Sequence, residues 1–575
     1  MPRRLPLLVV LLASALLGAA PAAHAGWFVA EPVDGPDPGL VGPRVALDVA
    51  EDGRGAIVYR KLDGGVPHVF ASRLVAGAYA PPVRVDSTVA EPASDAVVVA
   101  GERGRLAYFW LSGRRLYGAL EGRPPTLIFE SPGPDLAGLD ADIGANGTAY
   151  AVFGAGGDVR AARLFERRFE ALAAPLDIDP NQIAGAPRVA VGAEGNALAV
   201  WIEGGRVFAR RLLGMALSQY PQEGTLAGGP ADSVDIAMED DSSFSWVVFR
   251  QTLGGASRAV ARRFLGSAFE PPQLMDLGGG AGAPAIAING RGQGAFAVPA
   301  GGAALGSYVG ITDVFEPLVA LGGGGVGEAV VEVSDIRDAV LAWRAGGSVA
   351  ATFRRERGPF PEAAGLSRPE FGPVVPGSLA IGADRRSDVL LAMMQDDPAG
   401  RRLVAAGWDQ PPTPPYMPSR RSRVASQFLA WGPSSDPWGV TYHVVVDGTE
   451  VGTSTVPRLN LAAPLADGAH TVIVTAVDRH GQAAAAPPAQ IRVDGYIPRV
   501  RATVRRTGRT VRVSIRARDR GTGIASYRIH WGDKSRPARG PQAAHVYRRG
   551  RYELVVVVRD RAGNAGRKAV PVVIR

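Results

Sequence analysis

The sequence has 575 residues, a formal net charge of +8 at pH 7 and no cysteine. The lack of cysteine excludes disulfides, thiolate metal sites and cysteine nucleophiles. A chain of this length can bury several hydrophobic cores without covalent cross-links.

The first 25 residues are typical of a cleaved secretory signal. Arg3 and Arg4 precede an apolar stretch over residues 5–20, and Ala23-His24-Ala25 supplies the small residues of a cleavage site. An uncleaved anchor helix is the alternative interpretation. No later stretch approaches the roughly 20 apolar residues of a membrane span. We therefore expect a signal peptide over residues 1–25 and a secreted, extracellular protein that could associate with the cell envelope.

A short apolar phrase recurs through the next 370 or so residues, of which "GNALAVW" at Gly195–Trp201 is one copy. Its last, usually bulky residue returns every 43 to 51 residues, at Tyr59, Trp110, Phe153, Trp201, Phe249, Pro299, Trp343 and Met393. This spacing is in the range of propeller blades and too long for most helical repeats.

Within each unit the hydrophobic period is two, which indicates β-strands. Glycine pairs such as Gly204-Gly205 supply the positive φ angles of tight hairpin turns. The fourth strand often begins with an aromatic residue and proline, as in "YAPPVRV" from Tyr79, which suits an outer edge. The pattern predicts an all-β fold, with an eight-bladed (alternatively seven-bladed) β-propeller over residues 26–409.

The two ends of this region are predicted to meet. The last unit has only three strands, ending at Arg401–Asp409, whereas the segment from Trp27 is similar to a fourth strand. We expect the Trp27 strand to complete the last blade and so to hide sheet edges that would invite aggregation.

Two further β-sandwich domains are predicted after a proline-rich linker at residues 410–419. Residues 420–495 contain a hairpin with Asp447-Gly448 as its turn, and a second strong strand from Gly468. With Trp431, this segment resembles a fibronectin type III or related Ig-like sandwich.

The segment 496–575 resembles PKD-type Ig-like domains. Trp531-Gly532-Asp533 is followed by His545, Tyr547, Gly550 and Tyr552, with alternating Leu554, Val556 and Val558. Lys534 stands where the family turn has glycine, and Gly550 comes one residue early. The resemblance implies a non-catalytic spacer or adhesion module of extracellular proteins.

This last segment is strongly basic, with 21 Arg and Lys against four acidic residues. Strict alternation in "TVRVSIRARD" (Thr510–Asp519) predicts that Val511, Val513, Ile515 and Ala517 point inward. The predicted binding residues on the opposite side are Arg499, Arg501, Arg505, Arg512, Arg516 and Arg518. An anionic polymer would relieve their mutual repulsion. For an exported chain, wall polymers or glycans fit better than nucleic acid, and an ordinary solvated sheet face is the alternative.

The sequence contains no recognisable catalytic, cofactor or metal site. Only six histidines follow the signal, and none has metal-ligand spacing with another. The pairs Asp240-Asp241 and Asp396-Asp397 lie in or beside predicted turns, and the Asp-box of sialidases is missing. Asp519, Asp560 and Asn564 fall in turns that lack a full calcium ligand set.

These observations predict a monomeric, non-catalytic binding or adhesion protein. The propeller would be its ligand platform for a glycan, wall polymer or protein, and the basic sandwich would contact anionic polymers or glycans. A carbohydrate-active hydrolase with a sialidase-like propeller and a purely structural surface protein are the alternatives.

Overall fold

The computed structural model describes residues 25–75, 78–239, 244–310, 312–422 and 428–575. The predicted signal up to residue 24 and the pair Asp240-Asp241 lie outside them. The chain forms two compact units: Ala25–Gln410 with Pro437–Gly439, and Pro411–Asp436 with Val440–Arg575. Apart from two 3-10 turns, Glu102–Gly104 and Pro369–Phe371, the regular structure of these residues is entirely β. Among them, no helix has the length and apolarity needed to cross a membrane.

The first unit consists of successive antiparallel sheets, eight within its described residues, which we number as blades 1 to 8. Its first strand, β1 (Gly26–Asp37), belongs to blade 8. Blade 1 contains β2 (Leu40–Val49), β3 (Gly55–Asp63), β4 (Val66–Val75), β5 (Ala78–Tyr79) and β6 (Val83–Arg84). Blade 2 contains β7 (Asp95–Gly101), β8 (Arg105–Ser112), β9 (Arg115–Leu120) and β10 (Thr126–Glu130). Blade 3 contains β11 (Ala137–Ile143), β12 (Ala149–Ala155), β13 (Asp158–Phe165) and β14 (Arg168–Ala171).

The remaining blades follow the same order. Blade 4 contains β15 (Ala184–Val191), β16 (Asn196–Glu203), β17 (Arg206–Leu213), β18 (Ala216–Leu217) and β19 (Gln222–Glu223). Blade 5 contains β20 (Ala231–Met238), β21 (Ser245–Leu253), β22 (Ala256–Leu265), β23 (Ala268–Phe269) and β24 (Gln273–Leu274). Blade 6 contains β25 (Ala285–Ile288), β26 (Gly294–Ala300), β27 (Ala303–Val309) and β28 (Val319–Gly322). Blade 7 contains β29 (Val326–Val333), β30 (Ala339–Ala345), β31 (Ser348–Arg354) and β32 (Ala364–Gly365), and blade 8 contains β33 (Ala380–Ala383), β34 (Val389–Asp397) and β35 (Gly400–Asp409) with β1.

The innermost strands of the blades form a closed ring. In chain order they are β2, β7, β11, β15, β20, β25, β29 and β33, each packed against the next, and β33 packs against β2. A ring of small antiparallel sheets around a central channel is a β-propeller, as the sequence predicts.

The recurring apolar phrase is the second strand of each blade, and its terminal residue packs between blades. The side chains that end this phrase are at most 2% exposed at Tyr59, Trp110, Phe153, Trp201, Phe249, Trp343 and Met393. One buried cluster joins Phe109 of blade 2 to Phe153 of blade 3. The repeat therefore exists because every pair of neighbouring blades needs the same wedge of apolar side chains.

Glycine pairs form the hairpin turns and prolines lie at the outer edges of the blades, as the sequence predicts. Gly204 and Gly205 have φ angles of 56° and 78°, which a two-residue hairpin turn requires. Proline pairs interrupt the outermost strand, between β5 and β6 and again between β23 and β24. Since proline has no N–H to donate, it is tolerated at this edge.

Strand β1 completes blade 8, which confirms the predicted closure. It pairs antiparallel with β35, with Trp27 opposite Trp408. The two indole rings meet edge to face at 5.1 Å, and Phe353 of blade 7 stacks on Trp408 at 4.1 Å. The N–H of Ala30 also donates to Leu366 O at 2.8 Å.

The second unit contains two β-sandwiches. The first is built from β36 (Arg420–Ser422), β37 (Phe428–Ala430), β38 (Thr441–Val446), β39 (Thr449–Ser454), β40 (Arg458–Asn460), β41 (Gly468–Val477), β42 (Ala483–Ala485) and β43 (Ala489–Val493). Its core contains Trp431 against Tyr442, with their ring centroids 5.3 Å apart. Asp447 and Gly448 form its predicted turn, with φ angles of 52° and 83°.

The second sandwich packs a three-stranded sheet on a four-stranded one. Its strands are β44 (Arg499–Thr507), β45 (Thr510–Arg518), β46 (Ile524–His530), β47 (Ala538–Arg539), β48 (Gln542–Val546), β49 (Gly550–Asp560) and β50 (Ala565–Ile574). Val511, Val513 and Ile515 are buried in its core, as the alternation predicts, and Ala517 is half-buried.

The Trp531 turn of this sandwich is held by polar contacts. His545 Nε2 lies 2.6 Å from Asp533 Oδ2, and the Tyr547 hydroxyl donates to Trp531 O at 2.7 Å. Desolvation opposes ionisation of Asp533, but hydrogen bonds from Ser535 and His545 outweigh it and lower its pKa to about 2. Lys534 adopts the positive φ of the glycine it replaces, 68°, so the turn is kept at some cost in strain.

Closure by β1 predicts effects of very different size for two neighbouring substitutions. Ala30 is fully buried and Val29 is 43% exposed. We expect Ala30→Asp to lower the free energy of unfolding of the propeller by about 3 kcal/mol or more, because it buries an unpaired charge. Val29→Asp, the matched control, should change it by less than about 0.5 kcal/mol. Denaturant melts measure both, and equal losses would contradict the placement of β1.

Candidate functional site: a basic sheet face and an acidic channel wall

The six predicted arginines lie on one exposed face of the last sandwich. Strands β44 and β45 pair antiparallel, and their register places the arginines directly opposite one another in three pairs. The pairs are Arg499 with Arg518, Arg501 with Arg516, and Arg505 with Arg512. We call these six residues the basic face. All six are exposed, and the alternate residues of β45 are buried in the core.

The basic face is uncompensated by acidic side chains. Thr503 faces Ser514 between the arginine pairs, and the next strand contributes Gln542 and Ala544. Within the described chain, none of the six guanidinium groups forms an ion pair. A shallow groove over the face is lined by residues of β44, β45 and β48. Since like charges directly opposite one another destabilise a sheet, this arrangement lowers the stability of the free protein.

The turn carboxylates singled out in the sequence are engaged locally. Asp396 accepts a hydrogen bond from Arg401 at 2.9 Å, and Asp397 accepts one from Arg402 at 2.6 Å. Both pairs span the hairpin between β34 and β35. Their positions give them a role in stabilising that hairpin.

A second set of charged groups, which the sequence analysis missed, lies at the wall of the propeller channel. Asp48, Asp142, Asp235 and Glu332 belong to the innermost strands of blades 1, 3, 5 and 7. All four side chains are half-buried. Their spacings along the chain are 94, 93 and 97 residues, twice the blade period.

Three of these carboxylates connect pairs of blades. Each accepts a backbone N–H from the innermost strand of the following blade: Asp48 from Ala100 at 2.6 Å, Asp142 from Val191 at 2.7 Å, and Asp235 from Ile286 at 3.0 Å. These N–H groups lie on the free edge of an inner strand, where a buried donor without a partner is costly. The acids therefore join blade 1 to 2, 3 to 4 and 5 to 6.

Burial makes these acids hard to ionise. Desolvation raises the pKa of Asp142 to about 8, against two backbone hydrogen bonds that lower it, and the charges of Asp48 and Asp140 add to the rise. Desolvation also raises the pKa of Asp48 and of Asp235 to about 6, and that of Glu332 to about 7. Arg188 lowers the pKa of Asp235 by its opposite charge. The channel wall is therefore partly protonated near neutral pH.

A signal for these residues is present in the sequence. Each acid is followed by a branched apolar residue, Val or Ile, and preceded by an apolar one, as in Leu47-Asp48-Val49. An acid between apolar neighbours in an inner strand, returning in every second unit, points to a carboxylate at the channel wall. The sequence analysis aligned the units on their second strands with a period of one unit. That alignment does not show a residue that returns only in every second unit.

A cluster of three carboxylates in the second unit has the geometry for a cation. Oxygen atoms of Asp494, Asp519 and Asp560 all lie within 4.8 Å of one another. Asp494 and Asp560 are 1% and 2% exposed, and Asp494 accepts hydrogen bonds from the backbone N–H and hydroxyl of Thr522. Ca²⁺ is bound by carboxylate oxygens in proteins. Asp494 therefore joins Asp519 and Asp560, which the sequence analysis considered for calcium, as a third candidate ligand.

The raised pKa values predict how stability depends on pH. The unfolded pKa of an aspartate is about 4, so the folded propeller holds more protons than the unfolded chain between about pH 4 and pH 8. The free energy of unfolding should therefore fall as pH rises through this range. Asp142→Asn should flatten the slope and make the variant more stable than the parent at pH 8, with the difference shrinking toward pH 5.

Thermal melts of the two proteins across this pH range measure the effect. Asp335→Asn, at an exposed position, is the control and should leave the slope unchanged. A slope identical in Asp142→Asn and the parent would contradict the assignment.

No family model and no curated protein matches the sequence. Among solved structures, the chain is similar to a Dos1 propeller, with 10% identity over 66% of this chain and 95% of that one and a TM-score of 0.43. It is also similar to the Aleuria aurantia lectin AAL, with 11% identity over 47% of this chain and 94% of that one and a TM-score of 0.31. The PKD1 domain of Vibrio anguillarum Epp is similar at 18% identity over 14% of this chain and 94% of that one, with a TM-score of 0.13.

Proposed function

We propose that this protein binds an anionic glycan outside the cell and contacts it through the basic face. The observation that carries the proposal is the set of three Arg–Arg pairs across β44 and β45. Arginine that serves only solubility does not need to face arginine at three register positions of one strand pair. Placing six such charges together raises the free energy of the protein alone and lowers it when an anion is bound.

The geometry of the face suits an extended polyanion. Exposed residues along one strand recur roughly every 7 Å, and the paired strands lie about 5 Å apart. The arginines therefore form two parallel rows, which a chain of carboxylated or sulfated sugars could follow. Guanidinium groups pair with such anions through two parallel hydrogen bonds, and the interaction weakens as salt rises.

Location and architecture support this assignment. Export is expected from residues 1–25, so the anions that the basic face meets would be extracellular. The propeller brings the turns of its blades together around one rim, which is a common position for ligand sites. On this proposal the propeller is the second contact surface for the same class of ligand.

The test compares binding to immobilised polygalacturonate over a series of salt concentrations. We expect the triple variant Arg501→Ser, Arg512→Ser, Arg516→Ser to bind about tenfold more weakly or worse, with a shallower dependence on salt. The same variant should be more stable than the parent, by about 0.5 kcal/mol or more, because like-charge repulsion is relieved.

The control removes the same charge from the other sheet of the same sandwich. Arg551, Arg567 and Lys568 are exposed on β49 and β50. Their triple replacement by serine should change affinity by less than about threefold. Equal losses in both variants would show that net charge, rather than the basic face, determines binding.

Glycoside hydrolysis is a second candidate, favoured by the channel carboxyl groups. Asp142, with a pKa raised to about 8, would be a proton donor near neutral pH, while Asp48, at about 6, would be largely ionised. A reducing-end assay on polygalacturonate and on neutral polysaccharides tests it. Turnover that Asp142→Asn abolishes would establish the hydrolase, and no turnover by the parent would remove it.

A further inference from the structure

A groove between blades 2 and 3 has features of a ligand site. It lies on the rim that carries the first and third turns of each blade and is open to solvent. Arg105 lies on one side of it, and Asn146, Phe165 and Arg167 on the other. Leu106, Leu120, Ile143 and Leu164 add an apolar wall. The lining therefore combines arginines, an amide and an apolar surface with one carboxylate, that of Glu166.

A second, more open cavity continues the groove outward. It shares Leu120 and Arg167 with the first and adds Arg123, Arg168 and one carboxylate, that of Glu170. Arg167 thus lies where the two cavities meet. In the described part of the chain, no ion pair engages Arg123, Arg167 or Arg168.

A comparable cavity elsewhere in the ring has its arginine neutralised. Between blades 6 and 7, Arg354 donates two hydrogen bonds to the carboxylate of Glu316, at 2.7 and 2.8 Å. Only 5% of the Arg354 side chain is exposed. The ion pair of Arg354 stabilises the protein. Arg167, in contrast, is exposed, and its guanidinium group can pair with an anionic ligand.

The turn that carries Arg167 is strained. Glu166 and Arg167 have φ angles of 46° and 69° in the two-residue turn between β13 and β14. In the next two blades, Gly214 and Gly266 stand at the first position of the same turn. Glycine adopts this conformation without a steric penalty, and other residues that hold it are concentrated at functional sites.

An exposed aromatic ring lies beside this turn. Phe165 is 42% exposed, and the guanidinium carbon of Arg163 lies 4.1 Å from its ring centroid. The ring is held by this contact and still presents apolar surface to the groove. Sugar rings have an apolar C–H face that packs on such a surface, and a sugar carboxylate would pair with Arg167.

We infer that the groove between blades 2 and 3 binds a short acidic oligosaccharide of uronic-acid type. For its ligand class the inference rests on the proposed function, and it places a second contact on the propeller, separate from the basic face. In this arrangement Arg167 and Arg123 pair with successive carboxylates, and Phe165 packs against a sugar ring.

The test measures binding of trigalacturonate by calorimetry to the full chain carrying the triple serine substitution of the basic face. We expect Arg123→Ser with Arg167→Ser to weaken binding about tenfold or more. The charge-matched control, Arg291→Ser with Arg357→Ser, removes two exposed arginines from blades 6 and 7 and should leave affinity unchanged. A neutral trisaccharide should not bind.

A single substitution separates a binding role from a structural one. Arg167→Gly should weaken trigalacturonate binding and raise the melting temperature, since glycine relieves the strained φ. A structural role for Arg167 requires the melting temperature to fall.

The remaining outcomes distinguish this inference from the proposed function. Polymer binding that needs the basic face, with no trigalacturonate binding in the groove, overturns the inference alone. Groove binding of trigalacturonate, with polymer binding indifferent to the basic face, overturns the proposed function alone. Equal binding of a hexaglutamate peptide would replace the sugar by an acidic peptide as the ligand.

Discussion

The propeller depends on a requirement that no single blade meets: the inner strands must close into a ring. A four-stranded sheet leaves an unpaired edge toward the channel and an apolar face toward each neighbour. The wedge of residues such as Trp201 and Phe249 covers the faces, and β1 supplies the strand that the last blade lacks. Without closure, the first and last blades would each expose an apolar face to water.

Ring closure also explains the acids at the channel wall. An inner strand that faces the channel has N–H groups without a strand partner, and Asp48, Asp142 and Asp235 provide acceptors from the preceding blade. The carboxylates are retained although burial disfavours their charge. Their hydrogen bonds hold blades in pairs, which gives the ring a period of two blades in addition to the period of one.

The parts of the structure that depend on local sequence patterns could be predicted. The parts that depend on distant residues coming together in the fold could not. Glycine pairs determine turns, alternation determines which side of β45 is buried, and a missing strand points to its replacement at Trp27. The channel acids lie more than 90 positions apart in the sequence and come together only in the folded ring. No local pattern therefore predicts how they change one another's pKa. The strain at Glu166 and Arg167 could not be predicted from the sequence either. It arises because both residues adopt positive φ angles in a turn that contains no glycine.

Departures from the repeat are the most informative features of a regular fold, because packing explains everything that the units share. The paired arginines of the last sandwich and the strained turn of blade 3 both raise the free energy of the isolated protein, and neither is needed for closure. Both present guanidinium groups without acidic partners in the described chain, although the scaffold pairs arginine elsewhere, as between Arg354 and Glu316. An anion from outside the chain would offset both costs, and in our proposals the same kind of anion does so in each place.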